Sequence, residues 1–205
     1  MSPENESERM PEPAPEIPAA SPAAAPAPRR AVLPQQTQEL GDLLLRGGLT
    51  IAIAESLTGG ALTAELASIP GISASLQAGI VAYQTPLKHT LLGVSDDLLA
   101  ERGAVDPDVA IAMAKGVRKA VKTGRRAPEA DIGVSTTGVA GPAMQDGKPA
   151  GTVYIGLSSL FGDRAVPLDF SLLVDPDDPL GSRQRIRRAT VEAAVFNVVE
   201  LLASR

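Results

Sequence analysis

The chain of 205 residues has no cysteine, no tryptophan and a single histidine, His89. Without cysteine there are no disulfides, no thiolate metal sites and no thiol nucleophile. One imidazole cannot build a multi-histidine metal site, and a serine–histidine pair has only His89 to draw on. Aromatic residues make up 2% of the chain, three phenylalanines and two tyrosines, too few for base-stacking platforms. The net charge of −5 also argues against general nucleic-acid binding. No apolar run is long enough to span a bilayer. The acidic N-terminus shows no secretory leader, so a cytoplasmic location without membrane association is expected.

Glycine is missing from residues 1–34, which hold nine of the 18 prolines in an Ala/Pro/Glu stretch without apolar periodicity. This reads as a disordered, partly polyproline-II tail ahead of one domain at 35–205. In that domain "QQTQELGDLLLRGGL" predicts a helix with Leu40, Leu43 and Leu44 inward, ending at Gly47-Gly48. "LTIAIA" reads as a buried strand, the segment from about Thr58 to Ala67 as a helix, and "LQAGIVAY" as a strand ending at Tyr83. "TPLKHTLLGV" predicts a short helix with Thr85 as N-cap and Pro86 at its first position.

The clearest helix is "DPDVAIAMAKGVRKAVKT", capped by Asp106 and started by Pro107, with Lys115, Arg118, Lys119 and Lys122 on a solvated face. "ADIGVSTTG", "GTVYIGLSS" and "AVPLDFSLL" read as strands, the last two joined by a turn at Gly162-Asp163. A final helix is expected from about Ser182 to Leu202 with Ile186, Ala189, Ala193 and Phe196 inward. Alternating strands and helices place the chain in the α/β class, helices covering a mixed sheet.

The phosphate-loop, dinucleotide, GxSxG and SxxK patterns are all missing, so the glycine loops need another purpose. In "ESLTGG", Ser56 ends a strand just before Gly59 and Gly60. A hydroxyl there would meet backbone N–H groups suited to a phosphate or an oxyanion, although a helix cap by Ser56 or Thr58 is the simpler local reading. Lys88, in the first turn of its helix, opposes the helix dipole. If desolvated it would lose basicity and suit a general base for a serine; a surface lysine is the alternative. "STTGVAGP" offers an anion nest around Gly138 and Gly141, or a turn closed by Pro142. Arg183 and Arg187 in "GSRQRIRR" share a helical face near a helix start, where a nearby anion such as a nucleotide phosphate would suit them; a solvated basic cluster is the competing reading.

"AESLTGG", "GIVAYQTPLK", "LLGV", "GAVDPDVA", "TTGVAGP", "GKPAGTVYIGL" and "GSRQRIRRATVEAA" together resemble, in order and spacing, the CinA C-terminal domain of the competence/damage-inducible protein family. The resemblance runs over roughly residues 36 to 203. It implies a three-layer α/β/α sandwich with a mixed central sheet, assembled as a homo-oligomer. The implied activity is nicotinamide-nucleotide amidohydrolase: nicotinamide mononucleotide and water give nicotinate mononucleotide and ammonia, with no metal or cofactor.

By the same resemblance Ser56 and Lys88 form the catalytic dyad, and Tyr83 and Thr137 fall on further active-site positions. Tyr83 is expected to orient Lys88 or relay its proton. Lys88 is expected to rest neutral. N–H groups near Thr58, Gly59 and Gly60, or in the Gly138–Gly141 loop, would hold the oxyanion. Arg183 and then Arg187 would hold the substrate phosphate. Glu55 is assigned first to holding the turn, with a ribose contact or a charge effect on Lys88 as alternatives. The chain departs from the family pattern at Leu57, where cysteine is common, at residues 84–87, and at Ala143-Met144, where glycines are common. Longer relatives carry an additional N-terminal domain that looks molybdopterin-binding.

Overall fold

The computed structural model describes residues 33–122 and 127–204. Of the tail expected at 1–34, all but Leu33 and Pro34 lies outside the described residues, as does Thr123 at the end of the longest predicted helical motif. The order of elements is α1 (Gln35–Gly47), β1 (Ile51–Glu55), α2 (Ala61–Ala67), β2 (Leu76–Val81), α3 (Thr85–Leu92), α4 (Asp96–Arg102), α5 (Pro107–Ala120), β3 (Ile132–Gly138), β4 (Thr152–Ser159), β5 (Gly162–Asp169) and α6 (Pro179–Ala203). The five strands form one sheet in the order β2-β1-β3-β4-β5. β1 runs parallel to β2 and β3, and β4 is antiparallel to β3 and β5.

Helices cover both faces, as a fully buried central strand requires. In β1, Ile51 and Ile53 join a core with α1, α2 and α6, while Ala52 and Ala54 face α3, α4 and α5. Alternation of branched and small residues thus sets a thick layer on one side and a thin one on the other. The thin side is very close: a Cβ at Gly133 or Gly156 would strike the α5 carbonyls of Ala114 or Ala110. The architecture is an α/β/α sandwich around a mixed sheet. Among the described residues no helix is long and apolar enough to cross a membrane.

Several boundaries differ from the sequence reading. α2 starts at Ala61, because Gly59 and Gly60 take positive φ values of 61° and 98° and keep the preceding turn out of the helix. β2 ends at Val81, two residues before Tyr83. The N-cap of α3 is Gln84, and Pro86 is the second helical residue. α4, whose N-cap position is Ser95 without a side-chain capping bond, has no counterpart in the sequence reading. The β4–β5 turn is Leu160-Phe161 instead of Gly162-Asp163; Gly162 already pairs with Ser159, and residues 171–173 form a 3-10 turn. α6 begins at Pro179 under an Asp178 cap that accepts from the Gly181 N–H.

The inward face of α6 also differs. Ile186 is buried, but Thr190, Val191, Ala194, Val195 and Val198 carry the face and Phe196 is 44% exposed. On α5, Arg118 departs from the solvated pattern by donating to the Ala130 carbonyl at 2.7 Å and the Ser158 hydroxyl at 3.1 Å.

Candidate active site

β1, β2 and β3 run parallel, so their C-terminal ends open on one edge of the sheet, the usual place for a ligand in an α/β fold. Ser56 directly follows β1, Ala82 and Tyr83 follow β2, and Gly138 ends β3. A pocket of about 290 Å³ opens there, lined by Ser56, Leu57, Tyr83, Arg183 and residues 138–145, at the small end of the range for ligand pockets. A separate cavity of about 370 Å³ lies against α1, α2 and α6; Arg187 lines it, but neither Ser56 nor Lys88 does.

Lys88 approaches from α3. Its Nζ donates to Ser56 Oγ at 3.1 Å, to the Ala82 carbonyl at 2.9 Å and to the Tyr83 carbonyl at 3.3 Å. The side chain is 1% exposed. Loss of hydration lowers its pKa from the ordinary 10.5 to about 8, against the opposing pull of the Asp146 carboxylate. At neutral pH most Lys88 is therefore still protonated, contrary to the expectation of a neutral resting base; about one molecule in ten carries the free amine at pH 7. His89 takes no part in the pair, its Nδ1 lying 2.8 Å from the Val94 carbonyl.

Glu55 is fully buried, and its carboxylate accepts from the N–H groups of Gly60, Leu62 and Thr63 and from the Thr63 hydroxyl, at 2.6 to 3.1 Å. The start of α2 is thus occupied by the chain's own acid, which is the turn-holding role. The expectation that the Gly59 and Gly60 amides serve an oxyanion fails because both donors are already taken. The Gly60 N–H is bound to Glu55, and the Gly59 N–H donates to the Ser56 carbonyl at 3.1 Å. Among the described residues the N–H groups of Leu57, Thr58, Ala140 and Gly141 have no protein acceptor.

Other expected site residues divide. Gly138 and Gly141 line the pocket, Gly141 with a φ of 81°. Arg183 lines it too, donating to the Gly141 carbonyl at 2.8 Å and to the Tyr83 hydroxyl. The Tyr83 phenol therefore engages Arg183, and it is the Tyr83 backbone carbonyl that holds Lys88. Thr58 is buried with its hydroxyl 2.7 Å from that of Thr136. Thr137 is turned away, its hydroxyl donating to the Ala104 carbonyl at 2.6 Å, and it does not line the pocket. Arg187 also lies outside the pocket and binds the Leu57 and Thr58 carbonyls.

Sequence reasoning missed Asp146. Its Oδ2 accepts from the Ala104 N–H at 2.8 Å, and Gly103 leaves room for it where a Cβ would collide. Lys148 donates to the neighbouring Val105 carbonyl, so the loop after Gly141 is tied down beside the pocket. The Asp146-Gly147 pair is a turn signal in the sequence, but nothing local links it to Lys88.

The fold and site define an α/β/α sandwich with a buried serine–lysine pair where parallel strands end. The family model for the CinA C-terminal domain matches residues 34–202, and the chain belongs to that family. A CinA-like protein of Frankia casuarinae is 42% identical over 163 residues, covering 78% of this chain and 34% of that protein. The crystal structure of a CinA superfamily protein from Klebsiella pneumoniae superposes with a TM-score of 0.72 at 26% identity, covering 83% of this chain and 98% of that one. A competence/damage inducible protein from Agrobacterium tumefaciens gives a TM-score of 0.68 at 29% identity, with the same coverage, 83% and 98%. The chain spans about a third of the length of the curated relatives it matches.

Proposed function

We propose that the domain is a nicotinamide mononucleotide deamidase working through Ser56 and Lys88. The observation that carries this reading is the 3.1 Å contact between Lys88 Nζ and Ser56 Oγ in a desolvated setting that lowers the lysine's basicity. Lys88 in its free-amine form takes the Ser56 proton as Oγ attacks the carboxamide carbon. The carbonyl π pair moves onto oxygen and is held by free backbone N–H groups. When the oxyanion collapses, the C–N bond breaks and the nitrogen leaves as ammonia with the proton from Lys88. Water then attacks the acyl-serine ester, giving one proton to Lys88; the ester C–O bond breaks and Ser56 recovers a proton. The products are nicotinate mononucleotide and ammonia.

Arg183 is the candidate for the substrate phosphate, since a guanidinium with two donors engaged keeps others for an anion. A nucleotide-binding module without turnover is the rival, and the unusual residues 84–87 are its main support. None of them lines the pocket, which favours the enzyme. An amidase for another pyridine or nucleotide carboxamide is the second alternative.

The test follows ammonia and nicotinate mononucleotide from nicotinamide mononucleotide with wild type, Ser56→Ala and Lys88→Ala. Equimolar products in the wild type, with a loss of at least about 100-fold in each folded variant, are expected. Substrate binding without ammonia in a folded wild type would establish the non-catalytic module, and ammonia from a different carboxamide only would redirect the substrate.

A further inference from the structure

Arg187 reaches from α6 to the turn that carries Ser56. Its Nε donates to the Leu57 carbonyl at 3.0 Å and one Nη to the Thr58 carbonyl at 2.7 Å. The rigid fork of a guanidinium suits two acceptors held side by side; an ammonium does not match it. A trans peptide carries its C=O and N–H on opposite sides. Holding the Leu57 carbonyl therefore turns the Thr58 N–H away from Arg187, and holding the Thr58 carbonyl does the same to the Gly59 N–H. The Gly59 donor closes on the Ser56 carbonyl at 3.1 Å, and the Ser56 N–H on the Thr136 carbonyl at 3.0 Å. With the Ser56 carbonyl held by Gly59, the same trans geometry turns the Leu57 N–H the other way; among the described residues that N–H meets no acceptor, and Leu57 lines the pocket whereas the fully buried Thr58 does not.

The Thr58 carbonyl also accepts from the Ala61 N–H at 3.3 Å, and the remaining ties on the turn come from side chains. Glu55 takes the Gly60 N–H, and Thr136 meets the Thr58 hydroxyl. Arg187 does not line the pocket that Ser56 faces, so it is poorly placed to hold a substrate group there. We propose that Arg187 is a positioning residue, which locks the peptide planes after Ser56 so that the Leu57 N–H stands ready for the oxyanion formed at the Ser56 acyl step. This rests on the Ser56 acyl-transfer reading and replaces the phosphate role expected for Arg187. Arg183, by contrast, retains the substrate contact.

The test compares wild type with Arg187→Ala, Arg187→Lys and Arg183→Ala in two assays. One is steady-state hydrolysis of nicotinamide mononucleotide; the other is the rate at which a fluorophosphonate labels Ser56, which needs no carboxamide substrate. For Arg187→Ala, kcat falls about 100-fold, as for loss of an oxyanion donor, KM stays near the wild-type value, and labelling slows in step. Added methylguanidinium restores part of the rate, and Arg187→Lys restores little because it keeps the charge without the fork. Arg183→Ala instead raises KM.

If Arg187→Ala does not fold, the folded Arg187→Lys protein decides by the same split between kcat and KM. A raised KM with kcat retained, or unchanged labelling, overturns the proposal. If the wild type releases no ammonia, the deamidase reading falls and labelling alone decides: slower labelling in the Arg187 variants supports the positioning role, equal labelling overturns it. A wild type that neither turns over nor labels at Ser56 overturns both.

Discussion

Lys88 is an amine 1% exposed, facing two carbonyl oxygens and a serine hydroxyl. Desolvation disfavours its protonated form and the Asp146 carboxylate favours it, and the balance near 8 leaves a minority free-amine population at neutral pH. A rate that needs the free amine should therefore rise about tenfold per pH unit below 8 and level off above it. The Asp146 carboxylate raises the Lys88 pKa, so Asp146→Asn should move the inflection to lower pH while the plateau stays. A pH profile of kcat/KM for both proteins checks this. A flat profile over the two pH units below the Lys88 value of about 8 would show that Lys88 is not the base.

At the scale of elements, α2 depends on β1. It is a helix of seven residues with no side-chain cap and no acid in its first turn, short enough to be marginal by itself. Glu55, the last residue of β1, supplies the missing acceptor to Gly60, Leu62 and Thr63. One carboxylate thus seats the helix and closes the turn that presents Ser56. Glu55→Gln replaces one acceptor oxygen by an amide that faces N–H donors, and a loss of about 1–3 kcal/mol is expected. Urea unfolding of the variant against wild type measures it; equal stability would mean that α2 is held by packing alone.

The whole molecule carries the cost of keeping Lys88 dry. The folded protein releases that proton near pH 8 and the unfolded chain near 10.5. Between those values the unfolded state binds more protons, so this group makes stability rise with pH, and below pH 8 it is a constant penalty. Relative to Lys88→Met, wild type should gain stability from pH 8 upward, by about 1.4 kcal/mol per unit at most. Denaturation of both proteins at pH 7.5 and 9.5, either side of the Lys88 value of about 8, reads the difference directly; a constant difference would place Lys88 in a hydrated environment.

Composition excluded thiol and multi-histidine chemistry, and periodicity determined most elements. Asp106 and Pro107 start α5, Gly48 ends α1 with a φ of 60°, and alternating Ile and Ala mark a buried β1. These are local properties of backbone and side-chain period, so they are legible without the fold. The phase of α6 was not, because its core contacts come from α1, α2, β3 and β4 and favour Thr190, Ala194 and Val198 over Phe196. Lys88 could be singled out by its place at a helix start, but only the parallel pairing of β1 with β2 brings it to Ser56, 32 residues away. Which amides stay free, and which arginine binds the turn after Ser56 while the other lines the pocket, depends on hydrogen bonds spanning up to 130 residues. Such partners compete for donors only once the chain is folded, and that competition is decided by tertiary structure.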